Sequence, residues 1–390
     1  MSPQPLADHL LNTIDAIPMP PAGECRATGS ASRSDSYPIL VTASLEETVE
    51  RLAELIGHHR VAVVTDDVVN RLYGPPFLRA LAKVGIDAQV AVVPAGEANK
   101  SMAQAIALWN WLAAGTLSRH DVIVAFGGGV IIDLGGWVAS GYMRGMSYVN
   151  VPTTLVGQVD AGIGGKLAVN HREAKNLIGG FHQPRGVLSH VGFLDSLGIR
   201  HIRAGLAETI KKALIASPEY WEFLEANVPA IVAGDHDVRT RLVATAGVIK
   251  AELIARDPYE RDQRRTLGFG HALAHPIETV TGYGPVLHGE AVAMGMVIEA
   301  HMANALGLLD ADTHARILAL VRRAGLATSA RELPVPVRQE PLLRAAEKIE
   351  LARGGALRWV LPCGIGHTAI ADHLPPELLR NALLALGFDN

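Results

Sequence analysis

The sequence predicts an α/β N-terminal domain built on a parallel sheet, followed by a mostly α-helical C-terminal domain. From about residue 38 to 200, short runs rich in β-branched residues alternate with segments of helical apolar spacing, which is typical of a parallel sheet. Beyond about residue 200 the apolar residues recur at the helical period and strand patterns become rare. A glycine-rich turn in the first half and several histidines in the second half supply the candidate binding groups.

Length and local composition set the expected domain limits. The chain has 390 residues, enough for about two domains at roughly 150 residues each. Residues 1–37 hold one weak amphipathic segment and then a mixture of Pro, Gly, Ser, Ala and Arg, so we expect a loosely ordered N-terminal extension. We expect the dinucleotide-binding α/β domain at 38–200 and the helical metal- and substrate-binding domain at 201–390.

Charge and cysteine content exclude several classes of protein. The 35 Lys and Arg residues against 39 Asp and Glu residues give a formal net charge of −4, so we expect no nucleic-acid partner. Because Cys25 and Cys363 are the only cysteines, a metal ion would be held by imidazole and carboxylate groups. The N-terminus lacks the pattern of a secretory signal, and glycines and Asp133 interrupt the most apolar stretch, 122–143. We therefore expect a cytoplasmic protein without a membrane segment.

The expected elements follow from hydrophobic periodicity along the chain. A helical segment at 103–114 lies between two of the predicted strands. Buried strands are predicted at 60–65, 88–94, 122–126 and 148–152, with one late strand at 358–362. Helices of the second half are predicted at 202–216, 238–254, 288–306 and 311–324.

A glycine-rich turn at 126–133 is the candidate phosphate-binding loop. It follows a buried strand and opens a helix, so its backbone and the helix N-terminus can approach a pyrophosphate closely. The spacing is not that of the usual dinucleotide fingerprint, and a tight turn without a ligand remains open. Asp66 follows another strand, and Glu97 and Lys100 lie in a third polar turn. The carboxyl ends of parallel strands converge on one crevice.

Histidine and carboxylate residues of the second half form a candidate metal site. His271 and His275 are one helical turn apart, His288 begins another apolar helix, and Glu208 lies with Lys211 on a third. One Glu and two His with an open position are typical of a catalytic zinc site. The spacing leaves open which two histidines would be ligands, and whether these residues are only helix caps or solvated groups.

Several cations are candidates for binding an anionic substrate. A glycine-rich polar segment runs from Gln158 to Asn170 and includes Asp160 and Lys166, and Lys175 and Asn176 follow it. Collected in a cleft, such groups suit phosphate and carboxylate, whereas isolated cations can simply extend to the surface. Further cations among apolar neighbours are Arg144, Lys211, Lys250 and Arg264.

An ordered series of motifs resembles the sugar phosphate cyclase superfamily, and most closely the dehydroquinate synthase family. The motifs are PAGEANK, GGGVIIDLGG, YMRG, VPTTLVGQVDAGIGGKLAVNH, AKNLIG, GLAETIK, GFGHALAHPIE and HGEAVAMGM, with RGGALRWVLPCGIG near the C-terminus. The resemblance implies a homodimeric, NAD- and metal-dependent carbon–oxygen lyase. Its implied chemistry is oxidation of a ring hydroxyl, elimination of phosphate, reduction, and an intramolecular aldol closure to a carbocycle, with NAD regenerated.

Matched position by position, the resemblance assigns roles to individual residues. Glu208, His271 and His288 would hold a divalent zinc or cobalt ion. The residues lining NAD would be Asp66, Glu97, Lys100, Gly128, Gly129, Asp133, Thr153 and Thr154. The catalytic groups facing the substrate would be Asp160, Lys166, Lys211, Lys250, Arg264 and His275. Lys175, Asn176 and Arg144 would bind substrate, with Arg144 reaching the site of a neighbouring subunit.

The substrate expectation rests on matches and departures within the same motifs. Lys250 and Arg264 match residues that grip a carboxylate, which favours a 3-deoxy-heptulosonate 7-phosphate-type substrate and a 3-dehydroquinate synthase-like reaction. Gly268 replaces an expected Asn, and 349–351 lacks an expected Lys, removing charge-assisted hydrogen bonds of roughly 1.5–3 kcal/mol each. The alternatives are a sedoheptulose 7-phosphate cyclase of the 2-epi-5-epi-valiolone or 2-epi-valiolone synthase type, another secondary-metabolite cyclase, or a metal-dependent alcohol or glycerol dehydrogenase.

Overall fold

A computed structural model describes most of the chain. The described residues are 11–12, 26–29, 36–172, 174–257, 263–352, 355 and 357–389. They fall into two compact units. The sheet unit comprises Pro20–Gly198 and Gly234–Pro258, and the helical unit comprises Met1–Met19, Ile199–Ala233 and Tyr259–Asn390. Much of the predicted extension, 1–37, lies outside the described residues.

The strands and helices are numbered in chain order. The described strands are β1 (Leu11–Asn12), β2 (Arg26–Gly29), β3 (Tyr37–Thr42), β4 (Val61–Asp66), β5 (Ala88–Val93), β6 (Val122–Gly127), β7 (Ser147–Pro152), β8 (Lys166–His171), β9 (Ala174–Phe181), β10 (Gly186–His190), β11 (Trp359–Gly364) and β12 (His367–Ala371). The described helices are α1 (Leu45–Ile56), α2 (Asp67–Lys83), α3 (Met102–Ala114), α4 (Gly129–Gly141), α5 (Ile199–Ala216), α6 (Pro218–Ala233), α7 (His236–Arg256), α8 (His271–Val280), α9 (His288–Ala305), α10 (Ala311–Arg323), α11 (Gln339–Ala352) and α12 (Pro376–Ala385).

The sheet unit is built on one seven-stranded sheet, which confirms the predicted parallel α/β class. Its strand order is β2-β3-β10-β7-β6-β4-β5. Six strands are parallel, while β2 pairs antiparallel with β3. Every residue of β6 is buried, as expected for a strand covered on both faces. The central strands therefore hold their carboxyl-terminal turns in fixed positions.

Two apolar cores cover the faces of this sheet. One contains Leu52 of α1 and Phe77 of α2, whose ring stacks on Phe126 of β6 at a centroid distance of 4.3 Å. The other packs α3 and α4 against the opposite face, around Leu108 and Ile132. Helix α7 also belongs to the sheet unit, and β8 pairs antiparallel with β9 as a separate hairpin.

The helical unit contains α5, α6 and α8–α12 with a small antiparallel sheet of order β1-β12-β11. The late strand predicted at 358–362 corresponds to β11. Helix α9 is buried along nearly its whole length, including Met294 and Met296, because its sequence is apolar on all sides. Among the described residues, no helix has both the length and the apolar character needed to cross a bilayer.

Candidate functional site

One carboxylate and two imidazoles meet inside the helical unit. Glu208 lies on α5, His271 is the first residue of α8, and His288 is the first residue of α9. Glu208 is fully buried, and its Oε1 lies 3.6 Å from Nε2 of His288 and 3.9 Å from Nε2 of His271. These separations are too long for hydrogen bonds. Two ligand atoms on a tetrahedral zinc ion lie roughly 3.4 Å apart, so the three residues fit a divalent ion.

The second ring nitrogen of each histidine has its own partner. Nδ1 of His271 lies 3.2 Å from the carbonyl oxygen of Phe269. Nδ1 of His288 lies 3.3 Å from Oε2 of Glu278, a buried carboxylate on α8. Such contacts fix the tautomer that leaves Nε2 as the lone-pair donor of a metal-binding histidine. Glu278 was not predicted from the sequence, although its position seven residues after His271 puts it on the same helix face.

Histidine 275 lies beside this cluster. Its ring centroid is 5.3 Å from that of His271 and 6.3 Å from that of His288. The geometry groups Glu208 with His271 and His288, while His275 borders them. Burial, together with the nearby Lys211, His288 and His275, holds the pKa of His271 well below its usual value. His271 is therefore neutral near pH 7, which is the form that binds metal.

Two lysines of α5 approach the same carboxylate. Nζ of Lys211 lies 2.5 Å from Oε2 of Glu208, and Nζ of Lys212 lies 3.6 Å from it. Both lysine side chains are buried. Burying ammonium groups is costly unless they are paired, so both side chains are held near Glu208. Lys211 was predicted from the sequence, whereas Lys212 was not.

Glycines of α9 allow the three helices to approach this closely. A Cβ at Gly289 would lie 1.9 Å from the carbonyl oxygen of Ala204 on α5. A Cβ at Gly295 would lie 1.9 Å from the carbonyl oxygen of Gly270, which precedes α8. Helices α5 and α8 therefore touch α9 backbone to backbone. Close approach at Gly289 brings α5, which carries Glu208, next to α9, and close approach at Gly295 brings the start of α8, which carries His271, next to α9.

The predicted phosphate-binding turn joins β6 to α4 in the sheet unit. Gly128 is the N-cap of α4 and offers no side chain to its free N–H groups. A Cβ at Gly127 would lie 2.6 Å from the Ile131 side chain, and one at Gly128 would lie 3.0 Å from Cγ2 of Thr154. A Cβ at Gly129 would make only ordinary contact, at 3.6 Å. The packing thus disfavours a side chain at 127 most strongly, leaves little room for one at 128 and permits one at 129.

Lysine 100 is the centre of a buried polar network in the same unit. Its Nζ lies 2.9 Å from Oδ2 of Asp133, 3.2 Å from Oε1 of Glu97 and 2.5 Å from Oδ1 of Asn176. Burial opposes the charged form, but Asp133 and Glu97 raise the pKa of Lys100. Lys175 reaches the same Glu97 oxygen at 3.8 Å. The structure therefore joins three residues expected to bind cofactor to two expected to bind substrate.

Other predicted cofactor residues have structural partners of their own. Asp66 caps α2 by accepting a hydrogen bond of 2.8 Å from Val69 N, and burial raises its pKa. Thr153 is buried. Thr154 Oγ1 accepts a 3.1 Å hydrogen bond from Gly157 N. These contacts account for the local fold and leave the cofactor roles as predictions.

Asp160 and Lys250 form a second pair in the sheet unit. Nζ of Lys250 lies 3.0 Å from Oδ1 of Asp160 and donates a 2.7 Å hydrogen bond to its carbonyl oxygen. Lys166 is exposed on β8. Arg144 is exposed in a turn where Met143 and Arg144 have φ values of 48° and 70°, a strained conformation for residues with side chains.

The positions that bear on substrate choice are partly described. The side chain of Arg264 lies outside the described residues. Gly268 is half-buried, and a Cβ built there would meet no atom within 4 Å. Glu350 lies on α11 and is half-buried. A Cβ at position 268 is therefore sterically possible.

Comparison with known proteins gives consistent matches. The family model described as 3-dehydroquinate synthase N-terminal matches residues 90–204, and the one described as 3-dehydroquinate synthase C-terminal matches residues 205–347. The chain is 46% identical to a 2-epi-valiolone synthase of Actinosynnema mirum, over 95% of this chain and 97% of that one. It is 40% identical to a 3-dehydroquinate synthase of Symbiobacterium thermophilum, over 90% and 98%. A solved 2-epi-5-epi-valiolone synthase from Streptomyces hygroscopicus subsp. jinggangensis, with NAD+ and Zn2+ bound, superposes with a TM-score of 0.84 at 31% identity, covering 92% and 98%.

Proposed function

Because the chain belongs to the 3-dehydroquinate synthase family, we propose that it is a sugar phosphate cyclase of the 2-epi-valiolone synthase type. It would close sedoheptulose 7-phosphate into a carbocycle with loss of phosphate. The observation that carries this proposal is the 46% identity to a 2-epi-valiolone synthase across almost the whole of both chains. The sequence motifs alone favoured a heptulosonate substrate, whereas the comparisons favour the sedoheptulose 7-phosphate alternative.

The departures at two positions indicate that this chain contacts its substrate differently from a 3-dehydroquinate synthase. Gly268 offers no amide where the resemblance leads one to expect Asn, and Glu350 stands in a segment without the expected Lys. A carboxylate or phosphate gripped by those groups would lose charge-assisted hydrogen bonds. Lys250, in contrast, is retained and ordered by Asp160. That retention keeps 3-dehydroquinate synthase activity as the second candidate.

Glu208, His271 and His288 would hold a zinc or cobalt ion, as their donor separations fit such an ion. When bound, the metal supplies Lewis-acid polarisation of hydroxyl and carbonyl oxygens, and NAD+ supplies a reversible hydride acceptor. The NAD+ site would use the β6–α4 turn and the Lys100 network. Its proposed residues are Asp66, Glu97, Lys100, Gly128, Gly129, Asp133, Thr153 and Thr154.

The remaining polar groups would bind and protonate the substrate. Lys211 is buried beside Glu208, where its ammonium stabilises negative charge developing on a substrate oxygen. His275 borders the metal-binding histidines, a place suited to transferring a proton. Asp160 orders the ammonium of Lys250. The proposed contacts to phosphate and hydroxyl groups come from Arg144, Lys166, Lys175, Asn176 and Arg264.

A substrate panel tests the proposal. The purified chain, loaded with Zn2+ and NAD+, is incubated separately with sedoheptulose 7-phosphate, a 3-deoxy-heptulosonate 7-phosphate and glucose 6-phosphate. We expect phosphate release and a carbocyclic product, identified by mass spectrometry, from sedoheptulose 7-phosphate. Turnover of the heptulosonate alone would support the second candidate. No phosphate release from any of the three would contradict both.

A further inference from the structure

Two buried carboxylates link helices α8 and α9. Glu278 lies on α8 and Glu299 on α9, and their side chains are 2% and 0% exposed. A buried carboxyl group is costly unless it is hydrogen-bonded. The partner of each carboxylate therefore indicates what the residue does.

Each carboxylate reaches the beginning of the other helix. Oε2 of Glu278 lies 3.3 Å from Nδ1 of His288, the first residue of α9. Oε2 of Glu299 accepts a 2.5 Å hydrogen bond from the backbone N–H of Gly270, the residue before α8. The first contact lies near the end of α8 and the second at its beginning. The two links are thus reciprocal.

Both of these helix beginnings carry a candidate metal ligand. His271 and His288 are each the first residue of their helix, where backbone N–H groups have no partner within the helix. Gly270 has a φ of 79° and no side chain with which to cap α8. The start of α8 is therefore held from outside, by Glu299. The start of α9 is held in part by the contact between the imidazole of His288, its first residue, and the carboxyl group of Glu278 on α8.

We propose that Glu278 and Glu299 are reciprocal positioning residues of the metal centre. Glu299 fixes the backbone at Gly270 and so sets where His271 stands. Glu278 fixes the ring orientation of His288 and keeps its Nε2 directed at Glu208. This inference rests on the proposed metal site at Glu208, His271 and His288.

The two carboxylates act differently, and the difference can be measured. Glu299 contacts backbone N–H groups, at Gly270 and at Val360, and the amide oxygen of a glutamine has the shape needed to accept the hydrogen bond from Gly270. Glu278 contacts the imidazole, so its negative charge also raises the basicity of the ligand. The zinc affinity of Glu299→Gln should therefore match that of the wild type, whereas the affinities of Glu278→Gln and Glu299→Leu should be lower.

The test measures zinc affinity of the metal-free, full-length chain by competition with a chromophoric chelator. We expect Glu278→Gln and Glu299→Leu to weaken zinc binding about 10- to 100-fold. Glu299→Gln should remain within about twofold of the wild type, since its amide oxygen accepts the same hydrogen bond. Glu340→Gln is the matched control, because Glu340 pairs with Arg380 on the surface of the same unit. The absorption spectrum of bound Co2+ should change in Glu278→Gln and stay unchanged in the control.

The outcomes separate this inference from the proposed metal site. If the wild-type chain binds no zinc, the proposed metal site fails, whatever the carboxylates do. If the wild type binds zinc and Glu278→Gln keeps its affinity and cobalt spectrum, the positioning role is overturned. If Glu299→Leu does not fold, as judged by circular dichroism, Glu299→Gln carries the test of that residue. If the zinc affinity of Glu299→Gln falls as far as that of Glu278→Gln, then Glu299 does not act only by holding the backbone at Gly270, and its proposed role is overturned.

Discussion

Replacing Gly295 with alanine tests whether α8 and α9 must touch through their backbones. The added Cβ would lie 1.9 Å from the carbonyl oxygen of Gly270, whereas real Cβ atoms essentially never approach a neighbour closer than 3.0 Å. The obstacle is a backbone atom, so no side-chain rotation relieves it. The two helices must separate by at least about 1 Å in a region packed as densely as a crystal.

Two opposing contributions determine how much Gly295→Ala changes the free energy of unfolding. Alanine in a helix interior is favoured over glycine by about 1 kcal/mol, and overpacking a core costs about 1–3 kcal/mol, occasionally more. Because the overlap is between backbones, we take the upper end of that range and expect a net loss of about 2 kcal/mol in the free energy of unfolding. Displacing Gly270 also moves His271, so zinc affinity should fall about 10-fold or more.

Chemical denaturation of the metal-free protein and chelator competition measure the two effects. Gly268→Ala is the control, since a Cβ there meets no atom within 4 Å. It should change the free energy of unfolding by no more than about 0.5 kcal/mol. A Gly295→Ala protein as stable as the wild type, with unchanged zinc affinity, would refute the reasoning from backbone contact.

Three further perturbations test other parts of the site. Lys100→Met leaves the half-buried Asp133 and Glu97 without this cation, so we expect a loss of about 1–3 kcal/mol in unfolding free energy and weaker NAD+ binding by calorimetry; unchanged NAD+ affinity would contradict the assigned role. Burial raises the pKa of Glu299 well above its usual value, so the native state retains a proton that the unfolded state loses above about pH 4.5. The stability of the wild type should therefore fall relative to that of Glu299→Gln as the pH rises above that value, by up to about 1.4 kcal/mol per pH unit, and parallel pH profiles in denaturation would be inconsistent with this. Gly268→Asn should raise kcat/KM for a heptulosonate phosphate relative to sedoheptulose 7-phosphate by about 10-fold or more, and an unchanged ratio would argue against Gly268 as a determinant of substrate choice.

The sheet could be predicted because each strand carries its own signal. The apolar runs at 60–65 and 122–126 correspond to β4 and β6, and alternation with helices is sufficient to predict parallel pairing. The hairpin of β8 and β9 was missed because the glycine-rich segment before Asn170 was interpreted only as a polar loop. Alternation of buried Leu167 and Val169 with more exposed neighbours is the strand signal that it contains.

The candidate site was predictable only in part, because spacing along the chain does not report which helices meet. His275 is closer to His271 in sequence than His288 is, yet packing of α9 brings His288 to Glu208. Glu278 and Glu299 lie within apolar helices, where a single carboxylate gives no signal of its partner. Their roles depend on contacts between helices, which local propensity does not specify.

The most direct measurement follows phosphate and NADH together during a single reaction. The zinc- and NAD+-loaded chain is mixed with sedoheptulose 7-phosphate, and released phosphate is quantified against NADH absorbance. A cyclase that returns its hydride should release phosphate in proportion to carbocyclic product, with no lasting increase in NADH. Stoichiometric accumulation of NADH without phosphate release would contradict the account and indicate a dehydrogenase.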